Sequence, residues 1–156
     1  MKKSIVFLHS YHNMNTKKIG MAIAERINAT VINITDIKEP IELDSFEIIG
    51  FGAGIDSGKH YPEMLKFVET LRNVQNKKAF IFSTSGVYTY KKMFKDHTAL
   101  RTLLQNKGLI IVDEFGCKGF NTNSILKYIG GMNKGRPNNE DIKNANIFAE
   151  KLLKLV

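Results

Sequence analysis

Short apolar runs alternate with stretches of helical period along the whole chain. The runs lie at residues 5–8, 31–34, 48–51, 79–82 and 109–112. Each is rich in β-branched or aromatic residues, and none alternates strictly with polar ones. Strands covered on both faces read this way, because apolar contact is required at every position rather than every second one. Between the runs, residues 16–28 set Ile19, Ala22, Ile23 and Ile27 on one helical stripe, and residues 61–73 do the same with Met64, Leu65, Val68 and Leu71. Residues 92–107 carry Met93, Leu100, Leu103 and Leu104, and residues 139–155 carry Ile142, Ala145, either Phe148 or Ala149, and Leu152. Asn15 or Thr16 is available as a cap, Pro62 suits a first turn and Gly108 a helix stop. Residues 35–45 are polar, contain Pro40 and show no helical stripe, so this crossover is irregular or holds only a short turn.

Five strands and four helices in alternation predict an α/β fold. The sheet is doubly wound, five-stranded and parallel, of order 2-1-3-4-5, in a three-layer sandwich. The 156 residues suit one domain spanning 1–156. Ligands of such sheets bind at the carboxyl ends of the strands, where the strand order reverses. The first exit reads Ser10-Tyr11-His12-Asn13-Met14-Asn15-Thr16 and runs into a helix. Its hydroxyl and amide side chains, free backbone N–H groups and helix dipole make an anion site. The third exit holds Gly50, Gly52, Gly54 and Gly58 in nine residues, which suggests backbone approached by a flat ligand or positions needing positive φ. Ser83-Thr84-Ser85-Gly86-Val87-Tyr88 forms the fourth exit, and Gly116-Cys117-Lys118-Gly119-Phe120 the fifth.

Composition narrows the chemistry. One cysteine excludes a disulfide framework and a cysteine-rich zinc site. The first apolar run stops at His9, too early for a signal peptide or a membrane span, so the expected location is cytoplasmic. Lysines and arginines outnumber acids 23 to 15, a net charge of +8. The lysines are scattered with no run of five, so no nucleic acid partner is expected. Residues 53–60 fail as a Walker loop at Ala53 and His60, and no Gly-x-Gly-x-x-Gly follows the first strand. His60, His97 and Lys59 read as solvated side chains.

With these loops in place the chain resembles the flavodoxins over nearly its full length. The residues that carry the resemblance are Ser10-x-His12-x-x-Asn15-Thr16, the 52–61 loop, Ser83-Thr84-Ser85-Gly86 and residues 116–120. Met14 departs from the family, which usually has glycine before Asn-Thr. The resemblance implies noncovalent FMN, its phosphate held by Ser10, Tyr11, His12, Asn13, Met14, Asn15 and Thr16. Around the ring it implies Gly52, Ala53, Gly54, Ile55, Asp56 and Gly58, then Ser83, Thr84, Ser85, Gly86, Val87 and Tyr88, with Cys117 at the ring edge. A glycine peptide at Gly54 or Gly58 would turn its carbonyl toward flavin N5, and Tyr88, Tyr61 or Tyr11 would stack on the ring. The implied function is low-potential electron transfer between redox partner proteins. The alternative is an FMN-dependent NAD(P)H or quinone oxidoreductase. Flavodoxins are typically acidic; the basic charge of this chain points to partners with acidic surfaces.

Overall fold

The structure is a computed structural model that describes residues 3–10, 14–120 and 131–156. Five strands pair in parallel: β1 (Ser4–His9), β2 (Ala29–Asn33), β3 (Ile48–Asp56), β5 (Lys77–Ser85) and β6 (Leu109–Lys118). Their order is β2-β1-β3-β5-β6, the expected doubly wound arrangement. A sixth strand, β4 (Lys59–His60), was not expected. It pairs antiparallel with the end of β3, setting Asp56 opposite Lys59 and Ile55 opposite His60. The two residues between them, Ser57 and Gly58, both have positive φ (54° and 79°). Two-residue hairpins favour such turns because their twist matches that of the strands.

Helices α1 (Asn15–Ile27) and α5 (Asn139–Lys154) cover one face of the sheet. Helices α2 (Pro62–Thr70) and α4 (Thr98–Asn106) cover the other. The 34–47 crossover holds only a 3₁₀ turn, Ile34–Asp36, as its polar composition predicts. The single helix expected over 92–107 is instead two. α3 (Tyr90–Asp96) starts two residues earlier, where the Thr89 hydroxyl accepts from the Lys92 N–H at 3.1 Å, and it gives way to α4 at His97. Asp96, His97 and Thr98 are all weak helix formers, and both Asp96 and His97 are buried there in polar contacts.

The glycines of β3 serve the core. Gly50 lies directly opposite Phe80 and Gly52 opposite Phe82 in the β3–β5 register. A Cβ at Gly50 would stand 2.3 Å from the Phe80 ring, and one at Gly52 2.1 Å from the Phe82 ring. The two rings stack on each other at 26°, with centroids 6.0 Å apart. On its other side Phe82 meets Gly20 of α1, where a Cβ would stand 3.2 Å from the ring. Glycines in strand and helix thus let α1 approach the sheet across a phenylalanine.

Strand β6 carries a bulge beside the Ala79–Phe80 step, where the register advances from Ile111 to Asp113. An extra residue reverses which side chains face which side of the sheet. Ile111 packs with the α2/α4 cluster, whereas Phe115 and Cys117, also odd-numbered, pack with the α1/α5 cluster. Asp113 therefore faces Lys151 of α5 at 3.0 Å, and Glu114 turns to the α4 side.

Candidate functional site

At the first exit α1 begins without a side-chain cap of its own. Met14 stands at its head with φ 55° and ψ 27°, the left-handed region that suits the glycine usual in the resembled family. Its side chain is 41% exposed. Ser10 substitutes in part, its Oγ accepting from the Lys17 N–H at 3.2 Å. The first turn holds no acid and carries the exposed Lys17 and Lys18. Cations beside the positive end of a helix dipole are unfavourable unless an anion lies there too. Asn15 and Thr16 are buried. Asn15 donates its amide Nδ2 to the Phe120 carbonyl at 2.8 Å, and its Oδ1 is buried with no hydrogen-bond partner among the described residues. Such an orphaned acceptor costs about 1–3 kcal/mol until a donor meets it. Gly119 packs so tightly on Asn15 that a Cβ there would stand 2.6 Å from Nδ2. The donor set at this exit therefore fits a phosphate with hydroxyl groups beside it. Tyr11, His12 and Asn13 lie outside the described residues.

Two turns follow along the carboxyl edge. Gly52, Ala53, Gly54, Ile55 and Asp56 lie within β3, so only the 57–58 tip is a loop. The Gly54 carbonyl is taken by the Tyr61 N–H at 3.1 Å and is not free to turn toward a ligand. A Cβ at Gly54 would stand 2.6 Å from the Tyr61 ring. That ring also lies edge-on to His9 at 6.1 Å and packs on the core, which removes it from the stacking candidates. Gly58, at positive φ and with no atom nearer than 3.9 Å to its built Cβ, keeps the freedom that Gly54 lacks.

At the fourth exit Ser83, Thr84 and Ser85 are the end of β5. The Thr84 hydroxyl meets that of Thr16 at 2.9 Å, joining this exit to the start of α1. Ser85 donates to the Val87 carbonyl at 2.8 Å, and its own carbonyl accepts from Gly119 at 2.9 Å. Gly86 is held by Asn133, whose Nδ2 donates to its carbonyl at 2.6 Å. Val87 is exposed. Half-buried Tyr88 lies against Gly116, where a Cβ would stand 3.1 Å from its ring, and burial pushes its phenol above the usual value. Cys117 is buried within β6 on the α1/α5 face; burial, with Asp141 nearby, pushes its thiol up to about 12. A thiol so raised has no thiolate at neutral pH. Ser124 to Ile129, a stretch apolar enough for a helical turn, lies outside the described residues.

Beneath these turns is a polar cluster that the sequence reading places in solvent. His60 and His97 are completely buried, with ring centroids 4.7 Å apart. His60 Nε2 bonds the Phe82 carbonyl at 3.1 Å, and His97 Nε2 bonds the Ser83 hydroxyl at 2.7 Å. On its other side His97 Nδ1 bonds Glu114 at 2.8 Å. Arg101 donates to both Glu114 oxygens at 2.8 Å and lies over the Phe94 ring. Burial holds both imidazoles below their ordinary pKa, His60 well below, with His97 adding to the effect at His60 and Glu114 opposing it at His97. Burial alone would raise Glu114; the bonds from His97 and Arg101 outweigh it and hold the carboxylate ionised. Isolated histidines carry no periodic signal, so only the β6 bulge and the α3–α4 break reveal this cluster.

Among the described residues there is no cluster of three or more metal-ligating side chains and no helix long and apolar enough to cross a membrane. Residues 6–151 match the sequence profile of the flavodoxin domain. An uncharacterized protein of Methanocaldococcus jannaschii is 44% identical over 152 residues, 97% of this chain and 99% of that protein. Among solved structures, oxidised flavodoxin 1 from Bacillus cereus superposes with a TM-score of 0.73 at 21% identity, covering 98% of this chain and 99% of that one. An NADH:FMN oxidoreductase in its apo form reaches 0.66 at 12% identity, covering 96% and 88%. These last two share the fold. A family profile that spans nearly the whole chain, on a sheet of the expected order with an anion-ready helix at its switch point, assigns the family: the chain belongs to the flavodoxins, flavin-binding redox proteins.

Proposed function

We propose that this chain binds FMN and carries electrons between redox partners. The observation that carries the reading is the start of α1, where a helix without its own cap or any first-turn acid combines exposed lysines with the buried, partnerless Asn15 Oδ1. The phosphate would take N–H groups of that first turn and the Ser10 and Thr16 hydroxyls, with loop residues Tyr11, His12, Asn13 and Met14 around it. Asn15 Oδ1 would accept from a hydroxyl of the ligand. Asp56 to Gly58 and Ser85 to Tyr88 would border the ring, Gly52 to Ile55 and Ser83 to Thr84 supporting them from the strands, with Cys117 behind as an inert filler. FMN supplies one- and two-electron chemistry; the chain supplies position, exclusion of water and electrostatic tuning.

Exposed Lys17, Lys18, Lys59 and Lys91 lie at the same edge of the sheet as the exposed Asp56, Glu63 and Glu140, on a chain whose net charge is +8. That field favours partners with acidic surfaces, with binding that weakens as salt rises. Purified chain should be yellow, or take up added FMN stoichiometrically with quenching of its fluorescence. A colourless chain that leaves FMN fluorescence unchanged refutes the reading. NADH or NADPH alone should leave the bound flavin oxidised; rapid turnover of either without a second protein replaces the carrier with an oxidoreductase.

A further inference from the structure

The buried cluster has no task in holding a phosphate or a planar ring, yet its partners fix the position of every proton. A carbonyl only accepts, so His60 carries its hydrogen on Nε2 toward Phe82 and leaves Nδ1 as a buried lone pair without a partner. Glu114, ionised and gripped by Arg101, also only accepts, so His97 carries its hydrogen on Nδ1. Nε2 of neutral His97 then accepts from the Ser83 hydroxyl. The order Ser–His–Glu is that of hydrolytic triads, but Ser83 is 2% exposed and sealed under the sheet edge, where no substrate carbonyl can reach it.

What the cluster can do is accept a proton. The groups facing His97 are Glu114 from β6, Arg101 from α4, Asp96 with its partner Lys92 from α3, and His60 from β4. An added proton goes to His97 Nε2. There it completes an imidazolium against the Glu114 carboxylate, whereas at His60 it would face Arg101 and His97 with no acceptor at all. Protonation also reverses the bond to Ser83. Nε2–H becomes the donor, the Ser83 oxygen accepts, and the hydroxyl hydrogen is released from His97. Ser83 immediately precedes Thr84, the residue that ties β5 to the start of α1.

We propose that His97 is a proton acceptor coupled to the charge of the bound flavin, with Ser83 as the residue whose hydrogen-bond polarity reverses. This rests on the functional reading above. Full reduction would bring two electrons from a reductase partner and, with one solvent proton taken by the flavin, leave one uncompensated negative charge at the site. A second proton from solvent adds to His97 Nε2, so the net charge is unchanged, and that proton leaves on reoxidation. Burial makes the coupling strong, because charges interact more in the protein interior than in water. Linkage makes it reciprocal: the factor by which reduction raises proton affinity is the factor by which protonation raises electron affinity.

Histidine-selective ¹⁵N NMR tests this. In apo chain and in oxidised FMN-loaded chain, His97 should be neutral at neutral pH, with hydrogen on Nδ1. On full reduction its titration midpoint should rise by about one pH unit or more, a tenfold gain in proton affinity. The equilibrium constant for reduction should carry, beyond the flavin's own proton uptake, an added change of the same factor across the two His97 midpoints, and His97→Gln should remove that added change while retaining yellow colour. An unchanged His97 midpoint on reduction, or a His97→Gln protein with the wild-type pH dependence, overturns the proposal. Should His97→Gln fail to fold, the wild-type midpoints decide alone. A chain that takes up no FMN is recognised by its lack of colour before any titration; it overturns the functional reading, and this proposal with it.

Discussion

Substituting Gly52 by alanine tests whether the glycines of β3 serve packing. The added methyl would stand 2.1 Å from Cε2 and Cζ of Phe82, which is its in-register neighbour. The ring has nowhere to go. It is fully buried, backed by Gly20 of α1 and flanked by Phe80 at 6.0 Å. Forcing a methyl into filled space costs about 1–3 kcal/mol. Gly52 has no positive φ, so alanine restricts the unfolded chain at no backbone penalty and returns about 0.4–1 kcal/mol. The steric term wins, leaving a net loss of roughly 1–2 kcal/mol. For a chain of this length that lowers the melting temperature by about 2–8 °C.

The assay is urea unfolding of a double-mutant cycle with Phe82→Ala. That second change alone removes a buried ring and costs about 3–5 kcal/mol. With the ring gone, Gly52→Ala should be neutral or stabilising by roughly 0.5 kcal/mol. The coupling is therefore about 2 kcal/mol, within the span expected for side chains in contact. Equal losses in both backgrounds, or no loss in the wild type, would refute the packing argument. The folded Gly52→Ala protein should also keep its affinity for FMN, since Gly52 lies under a ring of the core and not at the open edge.

Three further expectations follow from buried polar groups. His60 and His97 have lowered folded-state pKa values, so the unfolded chain binds their protons first. The stability from their neutral burial is fully present above about pH 6.5 and is lost as pH falls through the folded-state values. Urea midpoints should thus decline steadily on acidification from neutrality, Glu114 adding to the loss below the carboxylate range; a flat profile rejects this. Thr84→Val leaves the Thr16 hydroxyl buried without its partner at a cost of about 1–3 kcal/mol, and adding Thr16→Val should recover most of it. A double variant as unstable as the sum of the singles would argue against the pairing. Cys117, with its thiol raised to about 12, should react with an aromatic disulfide reagent at mildly alkaline pH only as fast as the protein opens. Labelling at the rate of the unfolded chain would contradict its burial.

Much of the architecture is legible in the sequence because it rests on repeated signals. Apolar runs without alternation gave the five parallel strands and their order, and the absence of a stripe over 35–45 gave the irregular crossover. What escaped rests on single residues or distant pairs. The two-residue β4 hides in a glycine-rich stretch, where Ser57-Gly58 looks like one more loop position and not a hairpin turn. Gly50 and Gly52 suggest ligand approach until the register sets phenylalanines over them. His60 and His97 look solvated because nothing local announces Ser83, Arg101 and Glu114. Their meeting depends on a bulge that no composition rule locates and that turns Glu114 across the sheet. At the first exit the hydroxyl and amide residues before a helix state their chemistry locally.

The two ends of the site differ in how complete they are. The end of β5 is finished by the protein itself. Thr84 is paired with Thr16 and Ser83 with His97, Ser85 shapes its own turn, and Gly86 is held by Asn133. Consecutive residues of one strand point to opposite faces, so Thr84 reports to α1 and Ser83 to the histidine cluster through a single peptide link. A wall built this way would bind a ligand without much reorganisation, which reduces the ordering cost of association. The start of α1 is the opposite case: it keeps a left-handed methionine, uncompensated lysines and a buried acceptor without a donor. An anion with adjoining hydroxyls would relieve the lysines and the orphaned acceptor. On the proposed reading the free energy of FMN binding would be drawn chiefly from the first exit, while the fourth would set where the ring lies.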